Sequence, residues 1–136
     1  MRGAGKWMRR TCVIGGLMLA AFLLDTPAVL AGPWEDGMAA YNRGDYVPAM
    51  RLFRPLAEAG NSKAQSAVGV MHRKGQGVAK SSVRALMWFS LAAKRGDARA
   101  NAELREVTDS MTPAEISQAQ EMMQACETSN YRQCEY

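Results

Sequence analysis

The chain has 136 residues, and a chain of this length forms one small domain at most. Three cysteines and one histidine exclude a zinc finger, an iron–sulfur cluster and any site that needs several imidazoles. Hydrophobic residues make up 48% of the chain and charged residues 22%, which excludes global disorder, while the net charge of +4 is typical of proteins that bind nucleic acid or anionic membranes.

The first 31 residues have the composition of a secretory signal peptide. Basic residues begin the chain, residues 13–24 form an apolar run, and small residues precede Gly32. The apolar run is shorter than the about 20 residues that a membrane-spanning helix needs. The sequence therefore predicts cleavage between Ala31 and Gly32 and a periplasmic or secreted protein. The alternative is an uncleaved protein anchored in the inner membrane.

The basic character of the chain belongs mostly to this leader. Cleavage removes four of the 17 Lys and Arg residues and one of the 13 Asp and Glu residues, which leaves a net charge of about +1. Phosphate binding needs a concentrated basic surface, so the mature chain is predicted not to bind nucleic acid. No stable membrane insertion is expected after cleavage.

A repeat of about 36 residues runs through the rest of the chain. In the first unit, apolar residues recur at the spacing that places them on one face of a helix, and residues 85–93 repeat this pattern. These first-unit residues are Ala49, Leu52, Phe53, Leu56 and Ala57. Asp45 and Ser81 stand at N-cap positions, and Gly60 and Gly96 stand where a left-handed residue ends a helix.

One helix is predicted before the repeat and one after it. Residues 34–42 have helical spacing and end at Gly44. Thr112, Pro113 and Glu115 form a capping box at the start of the last helix. The sequence predicts an all-α fold, a short α-solenoid of about five helices over residues 32–126. Its repeat units span about 44–77 and 78–110, a capping helix spans about 113–126, and a polar tail spans 127–136.

Residues 61–96 resemble the Sel1-like repeat, a branch of the tetratricopeptide-like superhelices. The resemblance rests on Gly75-Gln76-Gly77-Val78 and on Ala85, Trp88-Phe89 and Ala92-Ala93. It implies an exported adaptor or scaffold that holds a protein or peptide partner. A few secreted, Cys-rich members are linked to β-lactams, which implies the alternative function, a binder or hydrolase of β-lactams or peptidoglycan fragments.

No residue set for catalysis, cofactor binding or metal binding is predicted, so the chain is not expected to be an enzyme. His72 has no Asp or Glu three or four positions away and is interpreted as a partly exposed helix residue. The glycines at 75 and 77 lack the third glycine and the preceding strand of a dinucleotide fingerprint. Ser66, Ser90 and Ser117 lack the neighbours of an acyl-transfer nucleophile.

Two cysteines remain after the leader, Cys126 and Cys134, because Cys12 is lost with it. In an oxidising compartment a disulfide between them ties the polar tail to the last helix. Free thiols are the alternative. The spacing of the pair is also similar to that in the Cys-rich secreted members of the family.

A partner-binding surface is predicted on the first helix of each unit, because in folds of this type that helix lines the concave side. The surface is an apolar groove with basic edges, formed by Met50, Arg51, Arg54, Arg84, Leu86, Met87 and Leu91. Methionine suits adaptable binding surfaces. Two alternatives stay open: the closing helix covers these residues, or the chain is a subunit that is stable only in a complex.

Overall fold

The computed structural model of the protein describes residues 31–134, and these form helices without any strand. The helices are α1 (Pro33–Arg43), α2 (Tyr46–Glu58), α3 (Ser62–Lys74), α4 (Ser82–Lys94), α5 (Ala98–Thr108) and α6 (Pro113–Thr128). The predicted short helical solenoid is confirmed, with six helices in the described chain instead of about five. Apart from Ala31, the predicted leader lies outside the described residues. No helix within residues 31–134 is long and apolar enough to cross a membrane.

Short polar side chains begin most of these helices. Asn61 Oδ1 accepts from the backbone N–H of Ala64 at 3.1 Å, and Ser81 Oγ accepts from that of Arg84 at 3.2 Å. Each bond satisfies a backbone donor that has no partner inside its helix. Asp45 occupies the N-cap position of α2, but its side chain does not cap that helix.

The helices α2 and α4 end at equivalent glycines. Gly60 has a φ of 88° and Gly96 a φ of 87°, both in the left-handed region that disfavours a side chain. The N–H of Gly60 donates to the carbonyl of Ala57 at 2.9 Å, and that of Gly96 to Ala93 at the same distance. The same turn therefore recurs one repeat later.

Neighbouring helices in the chain pack in pairs, except at the C-terminal end. α1 packs on α2, α2 on α3, α3 on α4, and α4 on α5. The last helix, α6, packs on α4 and makes little contact with α5. It extends to Thr128, two residues into the predicted polar tail. α6 therefore covers one side of the solenoid.

The start of α6 forms the predicted capping box. Thr112 Oγ1 accepts from the backbone N–H of Glu115 at 3.3 Å, and Glu115 Oε2 accepts from the backbone N–H of Thr112 at 2.8 Å. The same carboxylate oxygen accepts from the Thr112 hydroxyl at 2.9 Å. The bond from the Thr112 backbone N–H lowers the pKa of Glu115 most, and the bond from the Thr112 hydroxyl lowers it further. Burial has a smaller opposing effect, so the pKa lies below its usual value.

We expect stability to fall in acid partly through this carboxylate. Its pKa is lower in the folded chain than in the unfolded one, so its contribution is present above the unfolded pKa and is lost as the pH falls through the folded pKa. Glu115→Gln keeps an acceptor oxygen but cannot titrate, so its urea midpoint should fall less between about pH 5 and pH 3. Glu121→Gln, at an exposed position of the same helix, is the control. Parallel midpoint curves for wild type and Glu115→Gln would contradict the assignment.

A candidate groove between α1, α3 and α5

The four apolar residues of the predicted binding surface are buried. Met50, Leu86, Met87 and Leu91 are between 0 and 4% exposed. They belong to the core and offer no surface to a partner. The prediction of an open apolar groove on α2 and α4 is therefore corrected.

The physical reason is that the C-terminal part of the chain covers α4. Met87 and Leu91 share a core cluster with Cys126 and Cys134, and Met122 and Met123 pack against this cluster. Leu86 belongs to a second cluster, which contains Ala119 of α6. Cover by the closing helix, the alternative considered from the sequence, is what the structure shows for these three residues of α4.

The predicted arginines lie at the edge of this core. Arg51 is exposed, whereas Arg54 and Arg84 are half-buried. Arg51 and Arg54 lie with Met50 around a shallow depression of about 350 Å³, which the loop after α3 closes through Val78. The structure thus brings Met50, Arg51 and Arg54 together at this depression. Met87 and Leu91 share a core cluster with Met50, and Leu86 lies in the other cluster.

His72 is also buried, at 2% exposed, so the interpretation as a partly exposed residue was wrong. The backbone explains its position, because the N–H of Ser81 donates to the carbonyl of His72 at 2.9 Å. This bond folds the start of α4 back onto the last turn of α3. His72 therefore belongs to the contact between the two helices.

A cavity of about 390 Å³ lies between α1, α3 and the start of α5, and we call it the groove. The groove residues are Trp34, Met38, Tyr41, Phe53, Lys63, Ser66, Ala67, Val70, Asp97 and Arg99. None of them belongs to the predicted binding surface. The groove therefore lies mostly on α1, α3 and the start of α5, and α2 contributes only Phe53 at its base.

The α1 side of the groove is apolar and aromatic. Phe53 is fully buried at its base, and the ring of Trp34 lies on it with the centroids 5.1 Å apart and the planes at 43°. This contact depends on Gly37, because a Cβ there would lie 2.5 Å from Cε1 of Phe53. The Tyr41 hydroxyl donates to Gln76 Oε1 at 3.0 Å. The aromatic wall is therefore held in place before any ligand arrives.

The opposite side of the groove is polar, and both carboxylate oxygens of its acidic residue, Asp97, accept hydrogen bonds. Asp97 Oδ1 accepts from the backbone N–H of Arg99 at 2.9 Å, which caps α5. Asp97 Oδ2 accepts from the Ser66 hydroxyl, also at 2.9 Å. Lys63 and Arg99 are exposed at the rim. Within residues 31–134 neither of these cations takes part in an ion pair.

These side chains can hold a ligand through apolar contact, stacking and charge. Ser66, a serine of the groove, is only 3% exposed, and its hydroxyl donates a hydrogen bond to Asp97. His72 is not among the groove residues. In the described part of the chain no group of three His, Cys, Asp or Glu side chains is placed to hold a metal ion.

The C-terminal segment is held over the end of α4. The Cα atoms of Cys126 and Cys134 are 4.4 Å apart, close enough to form a disulfide. Arg95 Nη2 donates to the Tyr131 hydroxyl at 2.8 Å, and Lys94 Nζ pairs with Glu127 Oε1 at 2.7 Å. These bonds place the segment beside the turn at the end of α4.

One signal in the sequence could have located the groove. Lys63 and Arg99 are 36 positions apart and so occupy the same position of successive repeats, as do the helix caps Asn61 and Asp97. A cation that recurs at one repeat position marks a face of the solenoid. Choosing α2 and α4 as the first helices of the units hid this recurrence.

The comparison with known families shows where the repeat unit begins and ends. The family model of the Sel1 repeat matches residues 62–97, which contain α3, the loop after it and α4. This match agrees with the resemblance predicted over residues 61–96, and in it α3 is the first helix of the unit and α4 the second. The predicted units of about 44–77 and 78–110 instead begin at α2 and α4. A search of curated proteins finds no match. The family match and the helical solenoid together show that the chain contains a Sel1 repeat at residues 62–97.

Proposed function

We propose that this protein is an exported adaptor that binds a protein or peptide partner in the groove. Sel1 repeats commonly mediate protein–protein interaction. The observation that carries the proposal is a preformed cavity of about 390 Å³ that joins an aromatic wall to two rim cations without ion-pair partners in the described chain. The frame of the family match supports this choice, because α3 is the first helix of its unit.

The size of the groove favours an extended segment over a folded surface. Its volume is at the lower end of the about 300–1,000 Å³ that is typical of ligand pockets. Trp34, Met38 and Val70 are half-buried, so each still presents apolar surface that a partner can cover. A cavity of this size accommodates a few side chains of a peptide, and the remaining contacts would spread over α1 and α3.

Export is part of the proposal. A Cys pair able to form a disulfide is compatible with a location outside the cytoplasm. We propose that Cys126 and Cys134 are bonded and that the leader is cleaved between Ala31 and Gly32, directly before α1 begins at Pro33. Intact mass and thiol alkylation of the exported protein test both statements. A chain starting at Met1, or two free thiols, would contradict them.

The alternative function, binding or hydrolysis of β-lactams or peptidoglycan fragments, has no support in the groove. Ser66 is only 3% exposed, so its hydroxyl, which donates a hydrogen bond to Asp97 Oδ2, is not accessible to a substrate carbonyl carbon. A chromogenic β-lactam assay of the purified protein separates the two functions. Turnover that is lost in Ser66→Ala would favour the hydrolase.

A photo-crosslinking amino acid at Ala67 tests the adaptor function. Ala67 is a half-buried groove residue on α3, so a probe there should capture the partner in living cells. The same probe at Ala114, an exposed position of α6 outside the groove, is the matched control. Met38→Gln should reduce capture at position 67 about five- to tenfold by removing apolar contact.

The mapped crosslink decides the result. The proposal requires one defined segment of a partner that is captured at position 67, is not captured at position 114, and is reduced by Met38→Gln. Capture that is equal at the two positions, or unaffected by Met38→Gln, would place the binding surface elsewhere.

A further inference from the structure

We propose, resting on the proposed function, that the segment bound in the groove is acidic. One of its carboxylates lies between Lys63 and Arg99, and a neighbouring apolar side chain lies against Trp34 and Met38. The partner is thus defined by its chemistry, a peptide in which Asp or Glu stands beside a large apolar residue.

The first argument is the state of the two rim cations. Some other cations of the described chain pair with acids: Arg73 bridges Glu103 and Glu106, and Lys94 pairs with Glu127. Lys63 and Arg99 have no such partner within residues 31–134. Both cations line the same cavity, where they are available to bind an anionic group of a ligand.

The second argument is that helix stability does not explain these cations. Lys63 lies in the first turn of α3 and Arg99 in the first turn of α5, and neither turn contains an acidic residue. The helix macrodipole favours negative charge at this end and disfavours a cation. A carboxylate bound between the two side chains offsets this unfavourable interaction with the helix dipole. Ligand binding therefore explains why a cation recurs at this repeat position.

The third argument is that the groove's own acid cannot neutralise them by turning toward them. Both carboxylate oxygens of Asp97 are engaged, one with the N–H of Arg99 and one with the Ser66 hydroxyl. Its charge also lies at the N-terminus of α5, where the helix dipole offsets it. The groove therefore has two cations against one acid, and this net positive charge favours anions over basic peptides.

The apolar wall selects among anions. Trp34 and Met38 are half-buried groove residues beside the cationic rim. A purely ionic ligand would leave this apolar surface in contact with water. A segment that combines a carboxylate with a large apolar side chain covers both, and burying such a side chain contributes more than an exposed ion pair.

Peptide pools on beads test the inference with the full chain as isolated after export by its own cells. One pool alternates Glu with Leu and Phe, a second has Gln in place of Glu, a third has Lys, and a fourth set of beads carries a single-stranded oligonucleotide. We expect about tenfold more retention on the acidic pool than on the Gln pool, with a loss on raising the salt concentration.

Lys63→Gln with Arg99→Gln should abolish this difference. Arg105→Gln with Arg132→Gln, which removes the same charge at exposed positions outside the groove, should leave it unchanged.

The outcomes separate the inference from the proposed function. Equal retention on the acidic and Gln pools would overturn the acidic preference while leaving peptide binding in place. Stronger retention on the Lys pool or on the oligonucleotide would also overturn the inference. No retention on any pool would overturn it as well, and crosslinking at position 67 then decides the adaptor function independently.

Discussion

Replacing Gly69 by Val is expected to lower the free energy of unfolding by about 3 kcal/mol. A Cβ at this position of α3 would lie 2.7 Å from Cε1 and 2.8 Å from Cδ1 of Phe89, which is fully buried in α4. Either the two helices separate or the ring leaves its rotamer, and both lose packing throughout the contact. Urea unfolding followed by circular dichroism measures the loss.

Two further variants identify the cause of this loss. Ala67→Val adds the same kind of side chain to the same helix on its groove side, and should change stability by no more than about 0.5 kcal/mol. Phe89→Leu added to Gly69→Val should return part of the loss, because the smaller side chain leaves room for the new methyl groups. Equal stabilities of Gly69→Val and Ala67→Val would contradict close contact between α3 and α4.

The same contact occurs between α1 and α2. Gly37 faces Phe53 as Gly69 faces Phe89, with a Cβ at Gly37 reaching to 2.5 Å from the ring. Two residues separate α1 from α2, whereas seven separate α3 from α4. α1 and α2 therefore form a shortened copy of the repeat unit. The groove lies where this copy meets the unit recognised as a Sel1 repeat.

Replacing Cys134 by Ser is expected to lower the free energy of unfolding by about 2–3 kcal/mol. The proposed disulfide with Cys126 would close a short loop and thereby restrict the unfolded chain. Without the bond we expect the segment to leave α4, which uncovers Met87 and Leu91.

Reductant provides the control for this prediction. Wild type in a dithiol reductant should unfold at nearly the same urea concentration as Cys134→Ser, and the double variant Cys126→Ser with Cys134→Ser should not respond to reductant. A dye that binds exposed apolar surface should report the uncovering of α4 before global unfolding. A wild-type midpoint that is insensitive to reductant would show that the pair is not bonded.

The helices and their ends could be predicted because their signals are local. The spacing of Ala49, Phe53 and Ala57 repeats at the helical period, and all three are buried as this pattern predicts. The capping box at Thr112 depends on residues three positions apart, which any helix start brings together. Asp45 shows how such a local signal can fail, because its carboxylate accepts from Arg43 Nε at 3.1 Å and does not cap α2.

The binding face could not be predicted in the same way. A solenoid repeats without marking its own start, so the 36-residue offset fits a unit that begins at α2 as well as one that begins at α3. The sequence alone favoured the apolar side chains of α2 and α4. Those of α4 are covered by α6, a helix whose position depends on contacts more than 20 residues away along the chain.

Local patterns of the sequence are thus enough to predict the helical repeat, its turns at Gly60 and Gly96 and the start of α6, because hydrophobic periodicity and capping act over a few residues. Which helix faces form the core and which form the groove depends on tertiary packing. Burial depends on which distant segment packs on a face, and here α6 takes the surface of α4 while α1, α3 and α5 leave a cavity between them.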